Sequence, residues 1–417
     1  MEDSDISFIH TRAKISELPQ NPEQPSWGAT EASAYSSKIS HDQKGRSPLR
    51  IWEEDRKNLE PRKIYEKNRK FLRKLAEQGH SSCFYQSNVG INYEIPRHIA
   101  MFLCSFDHPK YLQQSQRYTK AKEFVSFSEN DTEELYSKQR DLYMEMIEEG
   151  VNKEDARFIL PIGVGATHLH QNINLVGFAN IYRVMNSDNA LIPKLTTKTV
   201  DEAFNSLNSE EPNLFSRTIV SAYNKNNKGY PVANMFNKGN TGVNKAVESY
   251  SDDQKVSKFE VEVEKNLLEK AREFNDEALS FLNLSNSLDK VGGFVAPMSL
   301  SAWHQFMRND TVKQSIESLY DAAERSEVVV PKSVSEEGFE EEFVDLFDKS
   351  MKKYSKLKGE LGKHNAVEVI PHALRIYTAF SLDGFNLIKG FIEDRAVEAA
   401  QWEIRGIARQ VKEIVGR

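Results

Sequence analysis

One short polar pattern occurs twice in this 417-residue chain, and its recurrence limits the possible folds more than any other feature. In the first half it reads Gln114-Ser115-Gln116-Arg117-Tyr118, and in the second Gln314-Ser315-Ile316-Glu317-Ser318-Leu319-Tyr320. Downstream of the first comes Ala156-Arg157-Phe158-Ile159-Leu160-Pro161, echoed by Ala366-Val367-Glu368-Val369-Ile370-Pro371. Asn174 and Arg183 then match Asn386 and Arg395 at the same separation. Three echoes in one order imply two tandem, diverged copies of a module of about 200 residues. The expected boundaries are an N-terminal arm over 1–60, a first module over 61–223, an Asn-, Lys- and Gly-rich linker or insertion over 224–257, and a second module over 258–417.

The stretch from Tyr111 to Tyr118 holds amides, a hydroxyl, a guanidinium and phenols, with no apolar run to bury it. An arginine offers a planar fork of donors suited to phosphate, and Ser and Gln add neutral hydrogen bonds. The stretch therefore reads as half of a nucleotide site.

Several elements are expected around it. Ile64, Phe71, Leu72 and Leu75 predict a basic amphipathic helix from Arg62 to Gln78. An acidic helix follows over 131–149, with Leu135, Leu142, Met146 and Ile147 inward and Gly150 at its C-terminus. Asn152 with Asp155 caps a next helix, expected to run to about Met185. Leu267, Ala271, Phe274, Ala278 and Phe281 predict another helix, as does the acidic stretch near 335–358. A long last helix is expected from Phe385 to Val415, with Ile388, Ile392, Ile404, Ile407, Val411 and Ile414 on its buried side.

Composition excludes several classes. A net charge of -7 argues against a general nucleic-acid binder, which needs a basic face. RNA contact through the basic helix is a weaker reading than a solvated helix face. No apolar run approaches the ~20 residues that span a bilayer, and the acidic start lacks the order of a signal peptide, so a cytoplasmic protein is expected. Cys83 and Cys104 are the only cysteines, too few for a disulfide framework or a Cys-rich metal site. His168 and His170 have no partner at a recognised ligand spacing, and no metal is expected. Gly163-Val164-Gly165-Ala166 lacks the rest of any phosphate-loop motif.

Together these motifs resemble the flavin-dependent thymidylate synthase (ThyX) family. Its signature runs Arg-His-Arg, seven residues, then Ser, usually as Ser-x-Arg-Tyr. The first half keeps the end as Ser115-Gln116-Arg117-Tyr118 but has Ser105-Phe106-Asp107 for the triplet. The second half has Arg308-Asn309-Asp310 for the triplet, then Ser318 without the following arginine. Two further family features are Ala-Arg-x-x-Leu-Pro, present as Ala156 to Pro161, and Arg-x4-Ala-Gln-x-Glu-Ile, present as Arg395 and Ala400-Gln401-Trp402-Glu403-Ile404.

The resemblance implies an α+β fold, with long helices packed on a small, mainly antiparallel sheet in each copy. It implies reductive methylation of dUMP to dTMP, with methylenetetrahydrofolate as methylene donor and FAD reduced by NADPH. The dUMP site it implies is composite: Gln305, Arg308 and Arg395 from the second copy, and Gln113 (in place of Glu), Ser115, Arg117 and Arg157 from the first. Arg395 takes the place of the activating arginine. Arg308, Asn309 and Asp310, with Asn172, Asn174 and Asn386, fall where the family holds its flavin. The losses in the two copies are complementary, so one competent site per chain and a homodimer mimicking the family's tetramer are expected. An acidic Asp310 near a pyrophosphate would repel it. The alternative reading is a catalytically impaired nucleotide-binding paralogue with a structural or regulatory role. Gln401, Glu403 and Arg405 read as mainly structural residues of a long helix, Gln401 pairing with Arg405 one turn on.

Overall fold

The computed structural model describes residues 9–11, 29–39, 42–106, 110–114, 132–163, 167–227, 229, 232–239, 256–259, 292–309, 312–382 and 390–414. Ser115, Arg117, Asp310, Asn386 and the helix expected over 267–281 lie outside the described residues. The chain divides into two compact units, Met1–Ser115 with Gly165–Pro231, and Gln116–Val164 with Val232–Arg417.

The first unit holds a four-stranded antiparallel sheet built from β1 (Ile9–Thr11), β2 (Val89–Ile95), β3 (Lys110–Gln113) and β4 (Thr167–Ile173) in the order β1-β2-β4-β3. Alternate residues of β4, namely Thr167, Leu169, Gln171 and Ile173, are buried, as the two-residue period of a strand requires. The helix Arg97–Cys104 is buried at every position. The basic helix forms over Pro61–Glu77 and packs on the helix Arg217–Asn226.

The described residues 29–39 and 42–60 of the expected arm are largely helical. They contain the helices Ala29–Lys38 and Pro48–Asn58, with Tyr35 and Trp52 buried. Pro48 does not interrupt: it stands in the first turn, where its missing N–H costs nothing, and the Ser47 hydroxyl accepts from the Arg50 amide at 3.2 Å.

The second unit repeats the sheet topology with β5 (Ser257–Phe259), β6 (Gly292–Ser299), β7 (Lys313–Ile316) and β8 (Arg375–Leu382) in the order β5-β6-β8-β7. Phe294, Phe306, Phe380 and Phe391 pack ring to ring in its core, with centroids 5.1 to 5.8 Å apart. The acidic helix of the first copy, Glu133–Glu148, and its counterpart Glu340–Leu361 both belong to this unit. Gln139 ties them together, donating to Ser350 Oγ at 3.0 Å and to the Ile159 carbonyl at 3.2 Å.

The echoed segments around Pro161 and Pro371 meet in this unit and bond reciprocally. Ile162 N donates to Ile370 O at 2.9 Å, and His372 N to Leu160 O at 3.0 Å. Gly163 N donates to Glu368 O at 2.9 Å, and Ala373 N to Phe158 O at 2.8 Å. Each bond is the other's image under exchange of the copies, which is how a two-fold axis relates contacts in a homodimer. Both segments also form 3-10 turns, Arg157–Ile159 and Val367–Val369.

Two sequence expectations are corrected. The helix expected from Asp155 to Met185 is instead a short helix Lys153–Ala156, the 3-10 turn, β4, and the helix Leu175–Met185. Pro161 and Gly163 break the helical run, and the alternating Thr167–Ile173 stretch suits a strand. The long C-terminal helix is not continuous: a single turn Glu393–Arg395 precedes the helix Trp402–Ile414. The Gln401 side chain accepts from Ile404 N at 3.0 Å, which starts a new helix there. Arg405 turns to Glu398 rather than to the Gln401 side chain.

Candidate functional site

The helix Leu300–Phe306 starts where Ser299 Oγ accepts from Ala302 N at 3.0 Å. Near its end it presents Gln305, whose Nε2 donates to Glu154 Oε1 at 3.4 Å. Glu154 sits on the helix Lys153–Ala156, which Asn152 caps by accepting from Asp155 N at 3.1 Å. Arg157 follows directly. It is buried, and its Nε donates to the Glu154 carbonyl at 3.1 Å. A buried guanidinium is valuable to an anion because the low-dielectric surroundings strengthen its field.

A cleft of about 140 Å³ opens beside Gln305, lined also by Asp394, Arg395, Gln401 and Ile404. Arg395 is half-buried there. One unit thus gathers Arg157 from the first copy and Gln305, Arg308 and Arg395 from the second.

The tripeptide Gln401-Trp402-Glu403 joins these pieces. Trp402 Nε1 donates to Asp155 Oδ1 at 2.9 Å, and its ring stacks on Phe158 at 6.3 Å. Asp155 also accepts from Ser333 Oγ at 2.6 Å. Glu403 is buried and accepts from Ser299 N at 2.8 Å, Ser299 Oγ at 2.5 Å and Gln401 Nε2 at 3.3 Å. Burial pushes its carboxyl up to about 7, against the pull of those donors. Reading Glu403 as mainly structural did not foresee these partners, because the burial of a glutamate is not visible in helical spacing.

The other expected residues fall as follows. Gln113 lies on β3 in the first unit and donates to Thr167 Oγ1 at 3.3 Å. Arg308 is exposed. Asn309 is buried, with its amide donating to the Gly390 carbonyl at 3.5 Å. Asn172 is on β4, paired with Gly90 and Lys110 and half-buried. Asn174 caps the helix Leu175–Met185 by accepting from Gly177 N at 3.0 Å. Ser115, Arg117, Asp310 and Asn386 are outside the described residues. Of the described asparagines expected at a flavin, Asn174 and Asn309 are thus engaged within the fold. The described set fits that cofactor only in part.

At the second copy's counterpart of the Ser115 position, the chain fills the space itself. Ser318 donates to the Asn237 carbonyl at 2.7 Å, and Leu319 N to Met235 O at 2.8 Å. Phe236 stacks on Tyr320 at 6.4 Å, and both rings are buried. Arg183, the first copy's counterpart of Arg395, donates to Asn180 at 3.0 Å and to Asn224 at 2.8 Å, and burial lowers its pKa.

Two separated segments, 24–192 and 293–417, match one family model, that of the thymidylate synthase complementing protein. These segments cover most of the chain, and they carry the motifs that sequence reading paired. A repeated antiparallel sheet with flanking helices, and a cleft lined by Arg395, Asp394 and the amides of Gln305 and Gln401, accompany that match. The chain belongs to the thymidylate synthase complementing protein family, as a tandem two-copy form. Among solved structures it is similar to a UMP/dUMP methylase, PolB, from Streptomyces cacaoi bound with 5-Br dUMP, at 13% identity and a TM-score of 0.38, over 55% of this chain and 98% of that one. No curated protein matches. Among the described residues, no helix is long and apolar enough to cross a membrane.

Proposed function

We propose that the chain methylates dUMP reductively to dTMP at a composite site shared by its two copies. The reagents, as family membership implies, are methylenetetrahydrofolate, FAD and NADPH. The observation that carries this reading is the Gln305–Glu154 hydrogen bond beside Arg395, which brings the first copy's Arg157 segment to the second copy's cleft.

The residues divide the work. Arg157 and Arg117 hold the phosphate, as family membership implies. Gln305 and Arg308 orient the nucleotide. Arg395 polarises the pyrimidine and favours ionised N3, and so activates the carbon to be methylated electrostatically. Cys83 and Cys104 are both buried, and burial raises the Cys83 thiol pKa, so neither is suited to act as a nucleophile. FAD, when bound, would supply the hydride; the residue roles above concern the nucleotide.

Tritium release from 5-tritiated dUMP, with all three reagents present, tests the reading. Arg395→Ala and Arg157→Ala should each lose activity by about a hundredfold or more, on the scale of a lost charge contact in the transition state. Wild-type kcat/KM in Arg395→Ala would refute the role of Arg395. The engagement of Asn174 and Asn309 favours a second reading, a nucleotide-binding paralogue that takes up no flavin. A purified protein that binds dUMP but stays colourless with added FAD decides for it. Sedimentation tests the homodimer that this arrangement proposes.

A further inference from the structure

Glu403 stands outside the cleft, yet it fastens the element that carries Gln305. Its two carboxylate oxygens accept from the backbone and the hydroxyl of Ser299, and that hydroxyl in turn caps the helix Leu300–Phe306. The preceding residue, Trp402, holds the other side through Asp155, two residues before Arg157. Gln401 completes the tripeptide by capping its own helix and donating to Glu403. Three successive side chains thus reach the second copy's helix, the first copy's arginine segment and the cleft wall.

We propose that Glu403 is a positioning residue for the nucleotide site, acting through Ser299 to set the helix that presents Gln305, with Trp402 setting the Arg157 segment in parallel. The proposal rests on the reading of Gln305, Arg157 and Arg395 as a nucleotide site. The physical reason for a carboxylate here is geometric. It offers two acceptors to two donors of one residue, which fixes both the distance and the rotation of the helix start. An apolar residue of similar volume would pack but leave Ser299 N without its acceptor. Displacement of a binding group by about 1 Å is enough to cost up to a hundredfold in a well-organised site.

The test compares Glu403→Ala, Glu403→Gln, Ser299→Ala and the Glu403→Ala/Ser299→Ala double variant by calorimetric titration with dUMP, well below each variant's melting temperature. The expected result is a loss of affinity of about tenfold or more in Glu403→Ala, partial rescue in Glu403→Gln, and a double variant no weaker than the weaker single one. Trp402→Phe, which keeps the ring on Phe158 but removes the donor to Asp155, should weaken binding through the other side. If Glu403→Ala fails to fold, Glu403→Gln and Trp402→Phe carry the test. Wild-type affinity in folded variants whose only change is a lower melting temperature overturns the proposal. If the wild-type chain itself binds no dUMP, the nucleotide-site reading fails. Amide exchange then reads the clamp alone: faster exchange over 299–303 in Glu403→Ala supports it, and unchanged exchange overturns it.

Discussion

Replacing Phe236 by alanine separates two views of the 224–257 stretch. Read from composition, it is a solvated linker, where a substitution moves stability by no more than about 0.5 kcal/mol. In the structure Phe236 and Met235 are fully buried. Phe236 stacks on Tyr320, and the segment is pinned by Leu319 N to Met235 O and by Ser318 Oγ to Asn237 O. Deleting a buried phenyl ring from such a place costs about 3–5 kcal/mol, the transfer of the ring plus the cavity left behind. For a unit of this size each kcal/mol lowers the melting temperature by roughly 2–4 °C, so the Phe236→Ala protein should melt about 10 °C lower by scanning calorimetry. Lys238→Ala, at an exposed position of the same segment, is the control and should not move it. A loss under about 1 kcal/mol in Phe236→Ala would refute the view that this segment is a built part of the unit.

Three other outcomes follow from particular contacts. Glu403 titrates near 7 when folded against an ordinary carboxyl value of 4.5, so the folded state holds its proton more tightly than the unfolded chain does. Stability from this group is therefore complete below about pH 4.5 and is lost as pH rises toward about 7, by up to about 3 kcal/mol, and denaturant titrations across that window should show a shallower fall in Glu403→Gln. A Cβ added to Gly163 would stand 2.3 Å from the Glu368 Cβ, so Gly163→Ala should open the reciprocal ladder and cost about 2 kcal/mol or more, whereas Gly359→Ala, within the helix Glu340–Leu361 and with nothing within 4 Å, should gain up to about 1 kcal/mol; urea midpoints compare the two. Asn174→Ala removes a helix cap and should cost about 1 kcal/mol without changing flavin uptake, which visible absorbance would show.

Much of this protein is local and could be read along the chain. The helices Pro61–Glu77 and Glu133–Glu148, the Gly150 terminus and the Asn152 cap each follow from a few adjacent residues, because helical spacing and capping are short-range effects. The doubled order of motifs also survives in sequence, and with it the α+β class, while Gln305, Arg308, Arg395 and Arg157 are the residues it nominates for the proposed site. Other features needed the assembled chain. Whether Thr167–Ile173 is strand or helix was settled by pairing with β2 and β3, partners far away in sequence. The break before Trp402 depends on a cap and on the burial of Glu403 against Ser299, about a hundred residues earlier. Most of all, residues 132–163 belong by sequence to the first copy but pack with the second, because their buried face and their reciprocal ladder find partners only there. Chain order nominates Arg157, Gln305 and Arg395 for the proposed site, but only long-range packing brings them into one unit.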